Sequence, residues 1–230
     1  MHIPDGFINA GASLGAGAVA IGGVGVALRK TSRTLQDRQV PLAGLVAAFV
    51  FAAQMINFPV AAGTSGHLIG AVLATVLVGP WAGAICISVV LLVQALFADG
   101  GLTALGLNVV NMAFAAGLGG YCIFLVARRI LPSTRSGVTL ASGVAAGASV
   151  VLSAIAFVLE YAVGGAVGLP ISTVTVAMVG VHVLIGIGEG VITAMTVGAV
   201  VGVRPDLVHG AGILSDSMDV VAQPRATVGG

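Results

Sequence analysis

The chain has 230 residues, of which 58% are hydrophobic and only 7% are charged, and its formal net charge is +1. A soluble domain carries about 25% charged residues, so charges this sparse cannot cover a water-soluble surface. The composition therefore indicates a protein whose solvent is the lipid bilayer, and the small net charge gives no support for a nucleic-acid partner.

Apolar runs long enough to cross a bilayer follow one another along the chain, since a spanning helix needs about 20 mostly apolar residues. The pattern predicts an all-α integral membrane protein, a bundle of seven transmembrane helices. The predicted helices are 11–29, 40–58, 66–79, 80–98, 105–130, 137–163 and 170–203. The short third and fourth helices meet at Gly79-Pro80, and they are expected to form a tight hairpin because proline suits the first turn of a helix.

The basic residues predict the orientation of this bundle. With seven spans, all nine lysines and arginines fall on one side of the membrane, from Arg29 in the first connection to Arg225 in the tail. An excess of Lys and Arg marks cytoplasmic loops, so the N-terminus is expected outside and the C-terminus inside. Residues 1–205 are expected to form one membrane domain, and residues 206–230 a polar, disordered cytoplasmic tail.

The sequence begins MHIPDG, which places an imidazole beside a terminal amine. Met1, His2, His67 and Asp99 share the outer side of the predicted bundle. An X-His start offers one metal three nitrogens, namely the terminal amine, the amide of residue 2 and the imidazole, because a metal is able to displace the amide proton. A fourth nitrogen completes a square that suits Ni(II) or Cu(II), and His67 is the natural candidate.

The segment after His2 has features that suit insertion between helices. Pro4 stiffens it and prevents a helix at Ile3, so the segment is able to fold back into the bundle with its ligands. Asp5 is expected to orient the His2 ring. The alternative is that His2 is solvated and idle, as histidines near an N-terminus usually are.

Four stretches of the sequence resemble one membrane-protein family. They are MHIPDGFI, NFPVAAGTSGHLIGAVLATVLVGPWAG, ALFADGGLTALGLNVVNMAF and HVLIGIGEGVIT. Together they resemble the cobalt/nickel substrate-capture subunit of energy-coupling factor transporters, the CbiM/NikM type. The resemblance covers most of residues 1–200 and does not extend to the tail after about residue 205.

The resemblance implies a seven-helix subunit whose N-terminal loop inserts into the bundle, in the plasma membrane of a prokaryote. It implies a metal held by the Met1 amine, the His2 amide and imidazole, and the His67 imidazole. The transported substrate would be Co(II) or Ni(II), for cobalamin synthesis or for metalloenzymes. The implied partners are a membrane coupling subunit, a pair of ATPase subunits and a small auxiliary membrane subunit.

The sequence gives no sign that the chain itself uses ATP. It contains no G-x-x-x-x-G-K-[ST] motif, and Lys30, its one lysine, follows Arg29. The energy for active transport is therefore expected to come from a partner, and the chain is predicted to be a transporter subunit, not an enzyme.

Several other polar residues are candidates for a role at the site. His182 and Glu189 share one face of the seventh helix, where they are either hydrogen-bonding pegs between helices or groups that support or sense the metal site. Asn108 follows an outer loop and is expected to hold the inserted N-terminal segment. Asp99 either caps the next helix or attracts cations.

Ala43 and Ala47 form a small-x-x-x-small pair on the second helix. Such pairs permit close helix packing. The pair is explained either by packing within the chain or, as the resemblance suggests, by docking on the coupling subunit.

Two other functions compete with metal capture. Gly63-Thr64-Ser65-Gly66 matches the G-x-S-G motif of rhomboid-type intramembrane proteases, in which Ser65 would pair with His182 as a dyad. That function offers no reason for His2. A stand-alone metal permease is the third interpretation, and the shortage of intramembrane carboxylates for proton coupling counts against it.

Overall fold

The structure, a computed structural model, describes residues 1–60, 64–97 and 99–212. This part of the chain forms seven helices and one two-stranded sheet, with single turns of 3₁₀-helix at Asp37–Gln39, Pro205–Leu207 and His209–Ala211. In chain order the elements are α1 (Ala10–Thr34), α2 (Val40–Gln54), β1 (Asn57–Pro59), β2 (Ser65–His67), α3 (Ala71–Val78), α4 (Pro80–Leu96), α5 (Leu105–Ile130), α6 (Arg135–Gly164) and α7 (Ile171–Val203).

The helices match a membrane protein in length and composition. Four of those described, α1, α5, α6 and α7, are long and apolar enough to cross a membrane, while α2 and α4 are shorter apolar helices. The prediction of a mostly helical membrane protein is therefore confirmed. The predicted boundaries of α4, α5, α6 and α7 lie within about two residues of those observed, whereas α1 continues five residues past its apolar run to Thr34.

The predicted boundaries of the second and third helices are wrong. Residues 55–58 and 66–70 were expected to be helical, but Asn57–Pro59 pairs antiparallel with Ser65–His67, and Asn57 lies opposite His67. Hydropathy alone does not distinguish a short apolar strand from a helix. The consequence is functional, because His67 stands on a strand that leads into α3 and not on the helix itself.

The start of α3 is held by a side chain from α7. The main-chain N–H groups of Ile69 and Gly70 both donate to the carboxylate of Glu189, the second over 2.7 Å. The first N–H groups of a helix have no partner within it, and a carboxylate there also interacts favourably with the helix dipole. Glu189 is thus the peg between elements that the sequence offered as one alternative, and it fixes where α3 begins.

All eight residues of α3 are buried. At about 1.5 Å per residue this helix is about 12 Å long, far short of the roughly 30 Å of a bilayer core. It lies at the centre of the bundle, in contact with α2, α4, α5, α6 and α7. Non-helical chain on its N-terminal side is tolerated at such depth only where protein encloses it or it lines a cavity.

The middle of α5 is wound as a π-helix from Val109 to Gly119. The sequence predicted this helix but not its wider winding. Asn111, within this stretch, donates from its side chain to Glu160 on α6 over 2.7 Å. Local π-winding often marks functional sites, and here it lies directly after the residue that holds the N-terminal segment, described below.

Hydrogen bonds and close contacts define two ends of the bundle. At one end, the main-chain N–H of Asn9 donates to the carbonyl of Gly164. This hydrogen bond joins the start of α1 to the end of α6. At the other, Arg135 at the start of α6 donates to the carbonyl of Gly202 near the end of α7. Arg33 in the last turn of α1 and Arg128 in the last turn of α5 also lie toward this second end. The location of all nine basic residues on one side stays a prediction, since Arg225 is outside the described residues.

The polar tail is shorter than expected. Residues 206–212 belong to the folded part, where Val208 and Ala211 are buried. A Cβ at Gly79 would lie 3.3 Å from Nδ1 of His209, so the 3₁₀ turns cover the connection between α3 and α4. Residues 213–230 of the predicted tail lie outside the described residues.

Ala43 and Ala47 are both half-buried and pack against the core of this chain. The thiol of Cys86 on α4 donates to the carbonyl of Ala43 over 3.5 Å, which shows how close the two helices are. These small side chains therefore take part in packing within the chain, while their docking on a coupling subunit stays a prediction.

Paired glycines bring α6 and α7 together. A Cβ at Gly147 would lie 2.9 Å from the carbonyl oxygen of Gly186, and a Cβ at Gly186 would lie 2.7 Å from that of Gly147. Gly143 and Gly190 face each other in the same way at 2.9 Å. Each helix thus presents a G-x-x-x-G face to the other, and the backbones are in contact.

We expect Gly147→Val to destabilise the protein by about 1–3 kcal/mol, because the added methyl groups would press on a main-chain oxygen that cannot move aside. Gly188→Val on α7 is the matched control, since a Cβ there meets nothing within 4 Å. Thermal unfolding of the detergent-solubilised protein measures both. Equal midpoints for the two variants would contradict the role assigned to this glycine contact.

Candidate metal site

The first residues of the chain are inserted into the bundle. Met1 and Ile3 are fully buried, and only 4% of His2 is exposed. The sulfur of Met1 lies 2.8 Å from the hydroxyl of Ser153 on α6, which is also 3.0 Å from the carbonyl oxygen of Asn111. The N-terminal amine is therefore placed inside the protein, although an amine is normally among the most exposed groups of a chain.

Asn108 holds this segment by both ends of its amide. The N–H of Ile3 donates to Oδ1 of Asn108 over 2.8 Å, and Nδ2 of Asn108 donates to the carbonyl of Ile3 over 3.2 Å. The N–H of Gly101 donates to the same carbonyl over 3.0 Å. Asn108 thus lies where the sequence analysis expected a residue that holds the inserted segment.

A second contact fastens the segment at the surface. The main-chain N–H of Thr103 donates to the Asp5 carboxylate over 2.8 Å, and the Thr103 hydroxyl donates to the same oxygen. These hydrogen bonds lower the pKa of Asp5. The expectation that Asp5 orients His2 is wrong, because its carboxylate is occupied by Thr103; Asp99 is the carboxylate that faces His2, with Oδ2 3.8 Å from Nε2.

Four nitrogen-bearing groups meet at the end of this segment. The Met1 amine donates to the hydroxyl of Ser65 on β2 over 3.5 Å. The rings of His2 and His67 are stacked with their centroids 4.5 Å apart. The structure therefore brings together the amine, the His2 amide, the His2 ring and the His67 ring, which are the groups that the sequence proposed as one ligand set.

The hydrogen bond of His67 leaves one ring nitrogen available. Nδ1 lies 2.7 Å from the carbonyl oxygen of Leu68, so Nδ1 carries the proton and Nε2 has a free lone pair. Nε2 is buried, and nothing in the described part of the chain hydrogen-bonds to it. Histidines that bind metals commonly donate their other N–H to a main-chain carbonyl in this manner.

Burial keeps these nitrogens neutral. It holds the pKa of the Met1 amine well below its usual range, although the Asp99 carboxylate works in the opposite direction. Burial also lowers the pKa of His2 to about 3, and it lowers the pKa of His67. A neutral nitrogen offers the lone pair that a metal needs, whereas an ammonium or imidazolium offers none.

His182 lies on the face of α7 that packs on β2. Two neighbours of His182 on that face contact the chain at β2. Met178 accepts a hydrogen bond from the hydroxyl of Thr64, and Ile185 packs so close to Gly66 that a Cβ there would touch it. Nδ1 of His182 lies 2.6 Å from the Met178 carbonyl, and its buried Nε2 has no hydrogen-bond partner among the described residues. His182 therefore has a buried nitrogen without a hydrogen-bond partner among the described residues, on the helix face that packs on the strand of Ser65 and His67.

Side chains alone do not form a metal site in this structure. Within the described residues, no group of three or more His, Cys, Asp or Glu side chains is arranged to hold a metal ion. The use of the main-chain nitrogens of residues 1 and 2 beside the imidazoles, which the X-His start suggests, stays a prediction.

Three residues at the site were missed by the sequence analysis. Gly100 has φ +92°, and a Cβ there would lie 3.0 Å from Nδ1 of His2, so only glycine lets the loop pass the ring. Ser153 on α6 contacts the sulfur of Met1 and also donates to the main-chain carbonyl of Asn111 on α5. The Gly-Gly pair after Asp99 was a readable signal of a tight turn, but serines and asparagines within spanning helices gave no indication of their partners.

An apolar helical bundle that encloses an inserted N-terminus and neutral nitrogens is the architecture of a membrane protein that handles metal ions. The chain belongs to the CbiM family, whose model, described as a cobalt uptake substrate-specific transmembrane region, matches residues 2–207. The family likeness stated from the sequence is thereby confirmed, and membrane metal transport is its activity.

Relatives and solved structures agree with this assignment. The chain is 40% identical over 212 residues to a putative metal transport protein of Haloquadratum walsbyi. The match covers 90% of this chain and 93% of the relative. It is also 37% identical over 211 residues to the cobalt transport protein CbiM of Sorangium cellulosum. That match covers 90% of this chain and 94% of the relative. A crystal structure of a transition metal transporter superposes with a TM-score of 0.83 at 30% identity, over 97% of this chain and 100% of that one.

These findings count against the protease interpretation. The relatives carry the names of metal transport proteins, which is consistent with a transporter and not an enzyme. Ser65 contacts the Met1 amine and makes no hydrogen bond with His182 within the described residues, and Gly63 of the motif lies outside them. Asp99 does not cap α5 either, because the helix starts at Leu105 without a side-chain cap.

We expect Asn108→Leu to weaken metal binding by about 10- to 100-fold, because two buried main-chain groups of Ile3 lose partners at a cost of about 1–3 kcal/mol. Thr103→Val is expected to weaken it much less, since the Asp5 contact is exposed to water. Titration of Ni(II) into each purified variant measures the dissociation constants. A larger effect of Thr103→Val would show that the surface contact, and not Asn108, holds the segment.

Proposed function

We propose that this protein is the metal-capture subunit of an energy-coupling factor transporter that takes up Co(II) or Ni(II). The metal ligands are the Met1 amine, the His2 amide, the His2 imidazole and the His67 imidazole. One observation carries the proposal: the fully buried amine of Met1 lies with two neutral, stacked imidazoles in the interior of a membrane protein.

The chemistry of these four groups suits the proposed metals. Amine, amide and imidazole of an X-His start are joined through the backbone, so together they wrap one side of a metal as two small chelate rings. The His67 ring, which comes from a separate strand, supplies the remaining corner. Four nitrogens in a square favour Ni(II), and Co(II) binds nitrogen sites less tightly in the general order of affinities.

Burial of the amine is otherwise difficult to explain. Taking a polar group out of water costs several kcal/mol unless it gains good partners, and the amine has only a 3.5 Å contact with Ser65. A bound metal would supply the missing interaction. The arrangement also requires that the mature chain begin at Met1, which the intact mass of the natural protein tests.

We further propose the membrane topology. Seven helices with the N-terminus outside put His2, Asp99 and Ser65 on the external side, where a cavity of about 450 Å³ lined by these residues opens beside the site. The basic cluster at the opposite end supports a cytoplasmic location for the C-terminus. Metal would then arrive from outside the plasma membrane of a prokaryotic cell.

The energy for uptake is proposed to come from partners. The sequence lacks a G-x-x-x-x-G-K-[ST] motif, so a pair of ATPase subunits, a membrane coupling subunit and a small auxiliary membrane subunit are the partners that the function requires. One relative from Archaeoglobus fulgidus is a putative fused nickel transport protein, 38% identical over 210 residues and matched over 68% of its length. The name of this relative supports nickel as one substrate.

We expect that two residues added before Met1 will abolish tight Ni(II) and Co(II) binding, because the amine leaves its chelate ring. His2→Ala and His67→Ala are expected to have the same effect. Ser65→Ala is the comparison and should retain binding, since Ser65 is not a ligand. Metal content after purification and calorimetric titration measure the outcome. Equal binding by the extended and native chains would exclude the amine as a ligand and overturn the proposed site.

We expect ATP-dependent accumulation of radioactive Ni(II) or Co(II) only in cells or vesicles that hold this chain together with a coupling subunit and active ATPases. An ATPase variant unable to hydrolyse ATP serves as the control. Accumulation by this chain alone at the full rate would favour the stand-alone permease instead. Competition between the two metals in the same assay would show which is preferred.

A further inference from the structure

Asp99 faces the ring of His2 at the mouth of the external cavity. Oδ2 of Asp99 lies 3.8 Å from Nε2 of His2, and the side chains are 20% and 4% exposed. Neither atom has a hydrogen-bond partner within the described residues. A closure of about 1 Å would bring the pair to the 2.7–2.9 Å of a charge-assisted hydrogen bond.

The covalent structure of an X-His start decides which ring nitrogen binds the metal. Only Nδ1 closes a small ring with the His2 amide nitrogen through Cα, Cβ and Cγ, because the lone pair of Nε2 points away from the backbone. With a metal on Nδ1, Nε2 must carry the proton. The N–H is then directed at the side of the ring on which Asp99 stands.

The loop that carries Asp99 is fastened to the N-terminal segment. The N–H of Gly101 donates to the carbonyl of Ile3 over 3.0 Å, and the N–H of Asp99 donates to the carbonyl of Gln94 over 3.0 Å. Gly100 passes directly against the His2 ring with φ +92°. The main chain that carries the Asp99 carboxylate is therefore held at a set position relative to the His2 ring.

Asp5 lines the same cavity, and it differs from Asp99 in one respect. Its carboxylate accepts two hydrogen bonds from Thr103 and does not face the His2 ring. The two carboxylates thus bring equal charge to the cavity, but only one of them is placed to contact a ligand. A comparison of the two residues therefore distinguishes a general attraction of cations, which both charges exert, from a specific contact with the His2 ring, which only Asp99 is placed to make.

We propose that Asp99 is a positioning residue for metal capture: it accepts the Nε2–H of His2 and so holds the ring with Nδ1 directed at the amine and amide nitrogens. This inference rests on the proposed function. A carboxylate bound to the far nitrogen of an imidazole also makes the ring a stronger donor, and loss of such a contact commonly weakens metal affinity by about 10- to 100-fold.

The test compares Asp99→Asn with Asp5→Asn, both with the native N-terminus. Each change removes one charge from the cavity and keeps an oxygen that can accept a hydrogen bond. Stopped-flow mixing with Ni(II) measures the association and dissociation rates, and the visible absorption band of the bound Ni(II) reports the strength of its ligands. We expect Asp99→Asn to raise the dissociation rate by about 10-fold or more and to shift the band.

Asp5→Asn keeps the oxygen that accepts from Thr103, so it is expected to change the dissociation rate much less than Asp99→Asn does and not to shift the absorption band. If both variants only slow association, and to the same extent, Asp99 acts by charge alone and the proposal is overturned. It is also overturned if Asp99→Asn changes nothing. Tight binding by His2→Ala would instead reject the proposed function itself, whatever the two aspartate variants do. Asp99→Ala removes the hydrogen-bond acceptor altogether, so it should raise the dissociation rate more than Asp99→Asn does.

Discussion

The reciprocal hydrogen bonds between Asn108 and Ile3 are the interaction on which the rest of the site depends. They hold the first three residues inside the bundle, and the positions of the amine, the His2 ring and the Met1 side chain follow from that placement. Asn108 satisfies both main-chain groups of Ile3, so the segment loses its water without leaving buried polar atoms there. The inserted segment, in turn, brings a terminal amine and an imidazole beside His67 in the interior of the bundle.

The second half of the site depends on an interruption in the helical bundle. The strand pair and the short helix α3 place non-helical chain deep in the protein, and Glu189 takes up the free N–H groups where α3 begins. In an uninterrupted helix, His67 would lie on the helix surface, and the main-chain N–H groups around it would already be paired within the helix. Interrupted helices at the centre of membrane transporters serve the same purpose elsewhere, where freed main-chain groups lie near the substrate.

Much of this architecture was predictable, and the failures have physical reasons. Hydropathy located the helices because burial in lipid is an additive property of residue types, and the X-His start indicated a chelate because its atoms are joined covalently. The role of Asp5 was misjudged because proximity in sequence does not say which carboxylate faces a ring. The partners of Glu189 could not be predicted, because Ile69 and Gly70 are more than 100 positions away from it in the chain. The strand at Ser65–His67 pairs with the nearby Asn57–Pro59, but hydropathy does not reveal such a short strand pair.

The proposed ligands come from two pieces of chain that are anchored on different parts of the bundle. The N-terminal segment is tied to the start of α5 through Asn108, whereas the strand with His67 is tied to α7 through Glu189. A metal held by both pieces would act as a cross-link between those helices. By thermodynamic reciprocity, any partner that shifts α7 relative to α5 would loosen the ion, and the ion would resist that shift to the same degree.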